Sequence, residues 1–149
     1  MPELNIGDIT LTGKGAIQGR VAFHANGGSN QANTGSAFKV VFDTALTNVG
    51  GGYDTSTSRF TAPVTGVYWF QYQYMMDSSS TYDRSQFKLS GTYVGQQAFQ
   101  DQGQYSHTNH SIIISMNANQ YMEVWTDVQS GGQGAVHGGY RLFQGFLIG

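Results

Sequence analysis

Hydrophobic and polar side chains alternate most regularly between Gly66 and Met76. One set of alternate positions is large and mostly aromatic, and it consists of Tyr68, Phe70, Tyr72, Tyr74 and Met76. The intervening set consists of Val67, Trp69, Gln71, Gln73 and Met75. A period of two predicts a β-strand whose aromatic face lies in a core. Because the second set is also bulky near its start, we expect another surface to cover the opposite face.

Shorter apolar segments on both sides predict further strands, and turn residues such as Gly, Asn and Ser separate them. The predicted strands are 21–25, 38–42, 85–89, 92–99, 111–116, 121–128 and 142–148. About eight to ten short strands without a helix are typical of a β-sandwich or jelly roll. The last strand is apolar to its end, so we expect it inside a sheet, near the first strand.

The composition supports one all-β domain with a short lead-in. The chain has 149 residues, with 21 Gly, 2 Pro, 13% aromatic and 11% charged residues. This length fits a single domain, and aromatic, Thr and Val segments between Gly-rich turns favour strands. We predict a jelly-roll domain over 21–149 and a lead-in or anchoring arm over 1–20. The apolar side chains of the arm are Leu4, Ile6, Ile9 and Leu11.

Charge and hydropathy exclude several classes of protein. The net charge is −2 and the basic residues are scattered, whereas a nucleic-acid-binding protein needs a clustered basic surface. No segment of 18 apolar residues exists, so no membrane span is predicted. The chain has no Cys, which excludes disulfides and thiolate metal sites. The first residues lack the pattern of a secretory signal peptide, so a native Met1 predicts synthesis in a cytosol without a secretion signal.

No catalytic or cofactor motif is present, and we predict that the protein is not an enzyme. The chain contains no G-x-S-x-G, P-loop or H-E-x-x-H sequence. His107 and His110 are three apart, which points them to opposite faces of a strand. Calcium is the one weakly indicated ion, because acidic residues fall in predicted loops; these residues are Asp77, Asp83 and Asp101. Since no D-x-D-x-D spacing occurs, ordinary solvated turns are favoured over a metal site.

The spacing of the large aromatics resembles that of a known family, the globular heads of complement C1q, which share a branch with the tumour-necrosis-factor ligands. Eight positions fill the pattern of this family: Phe42, Asn48, Tyr53, Phe60, Gly66, Tyr68, Phe70 and Tyr72. The resemblance extends over residues 20–149 and includes segments similar to the family's penultimate and closing strands. These segments contain Trp125, Phe143 and Phe146. The collagen stalk that precedes many such heads is absent from this sequence.

The resemblance implies a ten-stranded jelly roll that assembles as a compact homotrimer for recognition or adhesion. It also implies that the eleven residues above form the core and the trimer contacts, and some relatives bind calcium near the trimer apex. The polar loops 26–36, 77–83, 101–109 and 130–139 suit contact with glycans or proteins. Asn109-His110-Ser111 is an acceptor sequence for N-glycosylation.

Two functions are compatible with these features. The first hypothesis is a virion structural or adhesive protein, such as a phage capsid decoration protein or fibre head. It would lie on the virion surface, with capsid or tail proteins as partners and residues 1–20 against the shell. The alternative is a soluble, extracellular recognition protein that binds glycans or a protein receptor through its loops.

Overall fold

The computed structural model describes residues 20–32, 36–76, 80–102, 105–129 and 135–149. Residues 1–19 of the predicted arm and Asp77 lie outside these residues. In chain order the strands are β1 (Ala22–Asn26), β2 (Gln31–Ala32), β3 (Phe38–Lys39), β4 (Thr44–Val49), β5 (Tyr53–Asp54), β6 (Arg59–Thr61), β7 (Gly66–Met75), β8 (Ser80–Leu89), β9 (Thr92–Gln102), β10 (His107–Met116), β11 (Tyr121–Gln129), β12 (Ala135–Val136) and β13 (Leu142–Leu147). The described residues contain a single 3-10 turn, Gly138–Tyr140, and no helix that is long and apolar enough to cross a bilayer.

Two antiparallel sheets form a jelly-roll sandwich, as predicted. Sheet A has the order β10-β7-β13-β1-β4. Sheet B has the order β5-β6-β11-β8-β9, with β3 paired to β11. Strand β13 lies between β7 and β1, where Phe143 pairs with Tyr72 on one side and Ala25 on the other. The expectation that the closing strand lies inside a sheet is therefore confirmed.

The core between the sheets is built from stacked aromatic rings. The ring of Phe23 stacks between Tyr53 and Phe60, with both centroid distances at 4.8 Å. Phe143 meets Phe23 edge-on at 4.8 Å. Gly145 permits this packing, because a Cβ there would lie 2.5 Å from the ring of Phe70. The predicted aromatic face of β7 points into this core: Tyr68, Phe70, Tyr72, Tyr74 and Met76 are all fully buried.

Two parts of the strand assignment differ from the prediction. Strand β4 was not expected, because all its side chains are exposed and it is held at the sheet edge by main-chain pairing with β1. The hairpin of β8 and β9 turns at Ser90-Gly91 as predicted, with positive φ at both residues. However, β8 starts at Ser80 and β9 ends at Gln102, so the strands over 85–89 and 92–99 were predicted too short. The residues at these strand ends are polar in sequence and therefore indicated loops. In the structure the two ends pair with each other at Ser80 and Gln102.

We predict that Phe70→Ala lowers the free energy of unfolding by about 3–5 kcal/mol. Phe70 is fully buried and lies within 6.5 Å, centroid to centroid, of the rings of Phe23, Phe60, Tyr68, Phe87 and Phe143. Urea denaturation at one fixed protein concentration measures the change. Leu46→Ala on the exposed edge strand is the control, and it should change stability by about 0.5 kcal/mol or less. An equal loss in the two variants would contradict the assignment of Phe70 to the core.

Candidate functional site

An apolar row crosses the outer face of sheet A at one level of all five strands. The register aligns Val49, Ala22, Phe146, Trp69 and Ile113 as consecutive neighbours. Ile113 is 67% exposed, Val49 48% and Phe146 45%. The rings of Trp69 and Phe146 pack together with their centroids 5.3 Å apart. This apolar row is the second bulky face that the sequence predicted, and nothing in the described chain covers it.

Beside the apolar row, three amide side chains form a chain of hydrogen bonds across the same face. Gln144 Nε2 donates to Gln71 Oε1 at 2.8 Å. Gln71 Nε2 donates to Asn109 Oδ1 at 2.9 Å. This amide ladder thus joins β13, β7 and β10 without using the main chain. Asn109 is the acceptor residue of the glycosylation sequence, and the structure places it on this face of an edge strand.

The outer face of sheet B has the opposite character. A charged row crosses it, in which Asp54 pairs with Arg59 and Lys88 lies between Glu123 and Tyr93. Arg59 Nε is 2.7 Å from Glu123 Oε1. This ion pair joins the pair Asp54–Arg59 to the rest of the row. Alternating charges in contact with one another are typical of a sheet face that remains in water. The two outer faces therefore differ, and sheet A is the one suited to burial.

Glu123 is the centre of the charged row. Lys39 Nζ is 3.4 Å from its carboxylate, and Trp125 Nε1 donates to it at 3.2 Å. Burial raises the pKa of Glu123, but the hydrogen bonds from Arg59 and Trp125 and the positive charges outweigh burial, so its pKa lies below the ordinary value. Lys88 Nζ lies 3.4 Å from the centroid of the Trp125 ring. Lys88 thereby covers one face of the Trp125 ring, which is half-buried.

One side of the sandwich is an open edge where β9 and β10, the outermost strands of the two sheets, lie next to each other. Gly95 permits the approach, because a Cβ there would lie 3.1 Å from the ring of His110 and 3.2 Å from Ile112. Apolar side chains are half-buried or exposed along this edge. They are Tyr93, Val94, Ile112, Ile113 and Ile114. The open edge and the apolar row share only Ile113.

The predicted signature residues separate into different places. Seven lie in the core of the single chain: Phe42, Tyr53, Phe60, Tyr68, Phe70, Tyr72 and Phe143. Asn48 holds a turn through hydrogen bonds to the main-chain N–H and C=O of Tyr53. Gly66 packs against Leu147 and the main chain of Gly149. Phe146 belongs to the apolar row, whereas Trp125 lies on the outer face of sheet B. Sequence spacing does not reveal Gln71, Asn109 and Gln144, since they meet only through strand pairing.

The expected placement of Asp83 in a solvated loop is wrong. Asp83 lies in β8 with 1% of its surface exposed, facing the interior. It accepts hydrogen bonds from Thr126 at 2.9 Å, Tyr74 at 3.4 Å and Thr108 at 3.5 Å. Asp101 is also in a strand, β9, rather than in a loop. Within the part of the chain that the structure describes, no group of three or more potential metal ligands occurs.

We predict that Asp83→Asn increases the stability of the protein at pH 7. Burial raises the pKa of Asp83, and hydrogen bonds from Thr126, Tyr74 and Thr108 offset this only in part. The folded protein therefore binds this proton more tightly than the unfolded chain. The stabilisation that comes from protonated Asp83 is complete below the ordinary carboxyl pKa of about 3.9, and it is lost as pH rises through the raised pKa. An amide has the same shape and stays neutral at every pH.

Chemical denaturation between pH 4 and pH 8 tests this prediction, and the advantage of Asp83→Asn should shrink towards low pH. Asp127→Asn is the matched control, because the carboxylate of Asp127 binds Arg84 at 2.6 Å and its loss should destabilise the protein at pH 7. A loss of stability in Asp83→Asn at pH 7 equal to that of the control would refute the interpretation.

Comparison with known proteins identifies the family. The model of the C1q domain matches residues 22–148. Complement C1q tumor necrosis factor-related protein 3 of Mus musculus is 28% identical over 134 residues, which is 87% of this chain and 51% of the relative. The chain thus spans about half the length of that relative. The sequence resemblance to C1q heads is confirmed.

Solved structures show the same fold. The globular domain of the zebrafish complement 1qA protein superposes with a TM-score of 0.62 at 21% identity, over 87% of this chain and 98% of that one. The crystal structure of murine APRIL superposes with a TM-score of 0.66 at 10% identity, over 85% and 98%. At these identities the likeness concerns the fold alone. The family match over residues 22–148, together with this fold, shows that the chain belongs to the C1q domain family.

Proposed function

We propose that the protein is a non-enzymatic recognition module that assembles as a homotrimer and acts outside the cell. The observation that carries this proposal is the apolar row on the outer face of sheet A. Row residues such as Ile113 and Phe146 expose much of their surface in the single chain, and burying apolar surface contributes about 25 cal/mol per Å². The charged row on sheet B supplies the contrasting face that stays in water.

The partner that fits the apolar row is a second copy of the chain. The open edge offers apolar side chains that the single chain leaves half-covered, and it lies at the β10 end of the row, opposite Val49 at the β4 end. An edge that packs on the face of the next copy makes a head-to-tail contact, which closes into a ring when the rotation permits. Homotrimers are the assembly expected of the C1q family, and a closed ring of three copies makes this edge-to-face contact three times.

We predict that the wild-type protein is a trimer at micromolar concentration and that Phe146→Asp converts it to a folded monomer. A carboxylate in a buried apolar contact loses its hydration without gaining a partner. Light scattering coupled to size-exclusion chromatography gives the mass, and circular dichroism checks the fold. Thr61→Asp, on the exposed outer face of sheet B, is the control and should remain trimeric. A monomeric wild-type protein would overturn the proposed assembly.

Recognition is proposed for the end of the sandwich where β1 ends and β10 and β13 begin. Arg141, which is buried, donates to the main-chain oxygen of Ser29 at 2.7 Å, and Gly138 N donates to Asn30 Oδ1 at 2.8 Å. These bonds tie 27–31 to 137–141. Tyr140 extends from this base, and Tyr105 lies in the turn before β10 at the same end of the sandwich; each is 55% exposed. Exposed tyrosines on an anchored base suit stacking and hydrogen bonding to glycans or proteins.

The family favours this function over the virion hypothesis. Three similar proteins come from mouse, human and zebrafish, and none of their names indicates a capsid or tail. The division into an arm over 1–20 and a domain over 21–149 stays a prediction.

We predict that a binding surface presented three times gives strong avidity. A glycan array and an array of extracellular protein domains, each probed with and without calcium, should show binding by the wild-type trimer. Phe146→Asp should bind the same targets at least 100-fold more weakly, because it presents one surface instead of three. Tyr140→Ala should remain trimeric and lose affinity for the same targets. Blank arrays in all conditions, with an intact trimer, would contradict recognition and leave the assembly standing.

A further inference from the structure

The amide ladder has a direction and two open ends. Its middle member, Gln71, accepts a hydrogen bond on Oε1 from Gln144 of β13 and donates one from Nε2 to Asn109 of β10. Gln144 is the first member, and its Oε1 accepts no hydrogen bond from the described residues. Asn109 is the last member, and its Nδ2 donates none within the same residues. The ladder therefore presents an acceptor at one end and a donor at the other.

These ends lie at different distances from the edge of the sheet. Asn109 is in β10, the edge strand that contributes to the open edge, and its side chain is exposed. Gln144 is in β13, the central strand, and is paired in register with His24 on β1. Both residues are on the outer face of sheet A, close to the apolar row. When the open edge of one copy docks on the outer face of sheet A of the next copy, Asn109 of the first copy approaches Gln144 of the second.

Assembly also makes unpaired ends costly. Once the face is covered, a donor or acceptor that loses water without finding a partner costs about 1–3 kcal/mol. The two ends are complementary in chemistry, so a head-to-tail ring can satisfy both at once. An apolar contact alone has no direction and tolerates slippage, whereas a hydrogen-bonded polar group inside an apolar interface fixes register.

We propose that the ladder continues from one protomer to the next, with Asn109 Nδ2 donating to Gln144 Oε1 of the neighbouring copy. This inference rests on the proposed homotrimer and names the residues that set its register. Asn109 and Gln144 are thus specificity-determining residues of the assembly, and the apolar row supplies most of the buried surface. Three equivalent bonds close the ring and leave no open end.

Each end can be changed without breaking the bond inside the chain. In Asn109→Asp the carboxylate still accepts from Gln71 but has no outward N–H. In Gln144→Lys the ammonium still donates to Gln71 but offers no outward acceptor. Gln73→Glu is the matched control, because Gln73 pairs directly with Asn109 on the same face, is partly buried and lies outside the ladder. All three variants alter charge on the same surface.

The dissociation constant of the trimer, measured by sedimentation, is the readout. Asn109→Asp and Gln144→Lys should each raise it at least tenfold more than Gln73→Glu does. The double variant should recover at least tenfold relative to Asn109→Asp, because a carboxylate now meets an ammonium across the boundary.

The outcomes separate the two proposals. A wild-type protein that sediments as a monomer overturns the homotrimer and the ladder together. A wild-type trimer in which Asn109→Asp behaves like Gln73→Glu, or in which the double variant shows no recovery, overturns the continued ladder alone. Thermal unfolding of each variant at a concentration where it is monomeric shows whether the chain itself is intact.

Discussion

The packing of Phe23 between the rings of Tyr53 and Phe60 is the contact on which the rest of the structure depends. These three rings come from β1 of sheet A and from β5 and β6 of sheet B, so their stacking at 4.8 Å sets the distance between the sheets. Stacked and edge-on aromatic pairs contribute about 0.5–1.5 kcal/mol beyond the area that they bury. Gly145 completes the arrangement, because only a residue without a side chain leaves room for the ring of Phe70.

This aromatic core determines what the outer faces can do. Since side chains alternate along a strand, every residue drawn into the core places its neighbours on the outside. In sheet A this places Trp69, Phe146 and Ile113 on the outer face at one level. In sheet B it places Arg59, Glu123 and Lys88 on the outer face, and contacts with Arg59, Lys39 and Trp125 bury the carboxylate of Glu123. The apolar side chains on sheet A are stabilised when another surface buries them. The charged side chains on sheet B pair with one another and can remain in water. In the proposed assembly, the outer face of sheet A contacts other copies of the chain, the outer face of sheet B stays in solvent, and the loops remain available for ligands.

The alternation along β7 was sufficient to predict its buried face, because burial of every second residue leaves a direct trace in the sequence. The aromatic spacing from Phe42 to Tyr72 predicted the family for the same reason: each ring has a fixed place in one core. Asp83 shows the limit of this approach. Its neighbours in the chain are polar and indicate a turn, whereas Thr126 and Thr108, which enclose it, are 43 and 25 residues away.

The amino-acid sequence by itself determined the longer apolar strands, the buried face of β7, and the sandwich that the strands form, since these follow from a period of two and from turn residues that act locally. Only the tertiary structure decided which outward residues become neighbours. The apolar row and the amide ladder depend on the register between strands that are distant in the chain, as with Gln71 and Gln144, 73 residues apart. Register is set by the packing of the whole core, and no short segment of the sequence contains it.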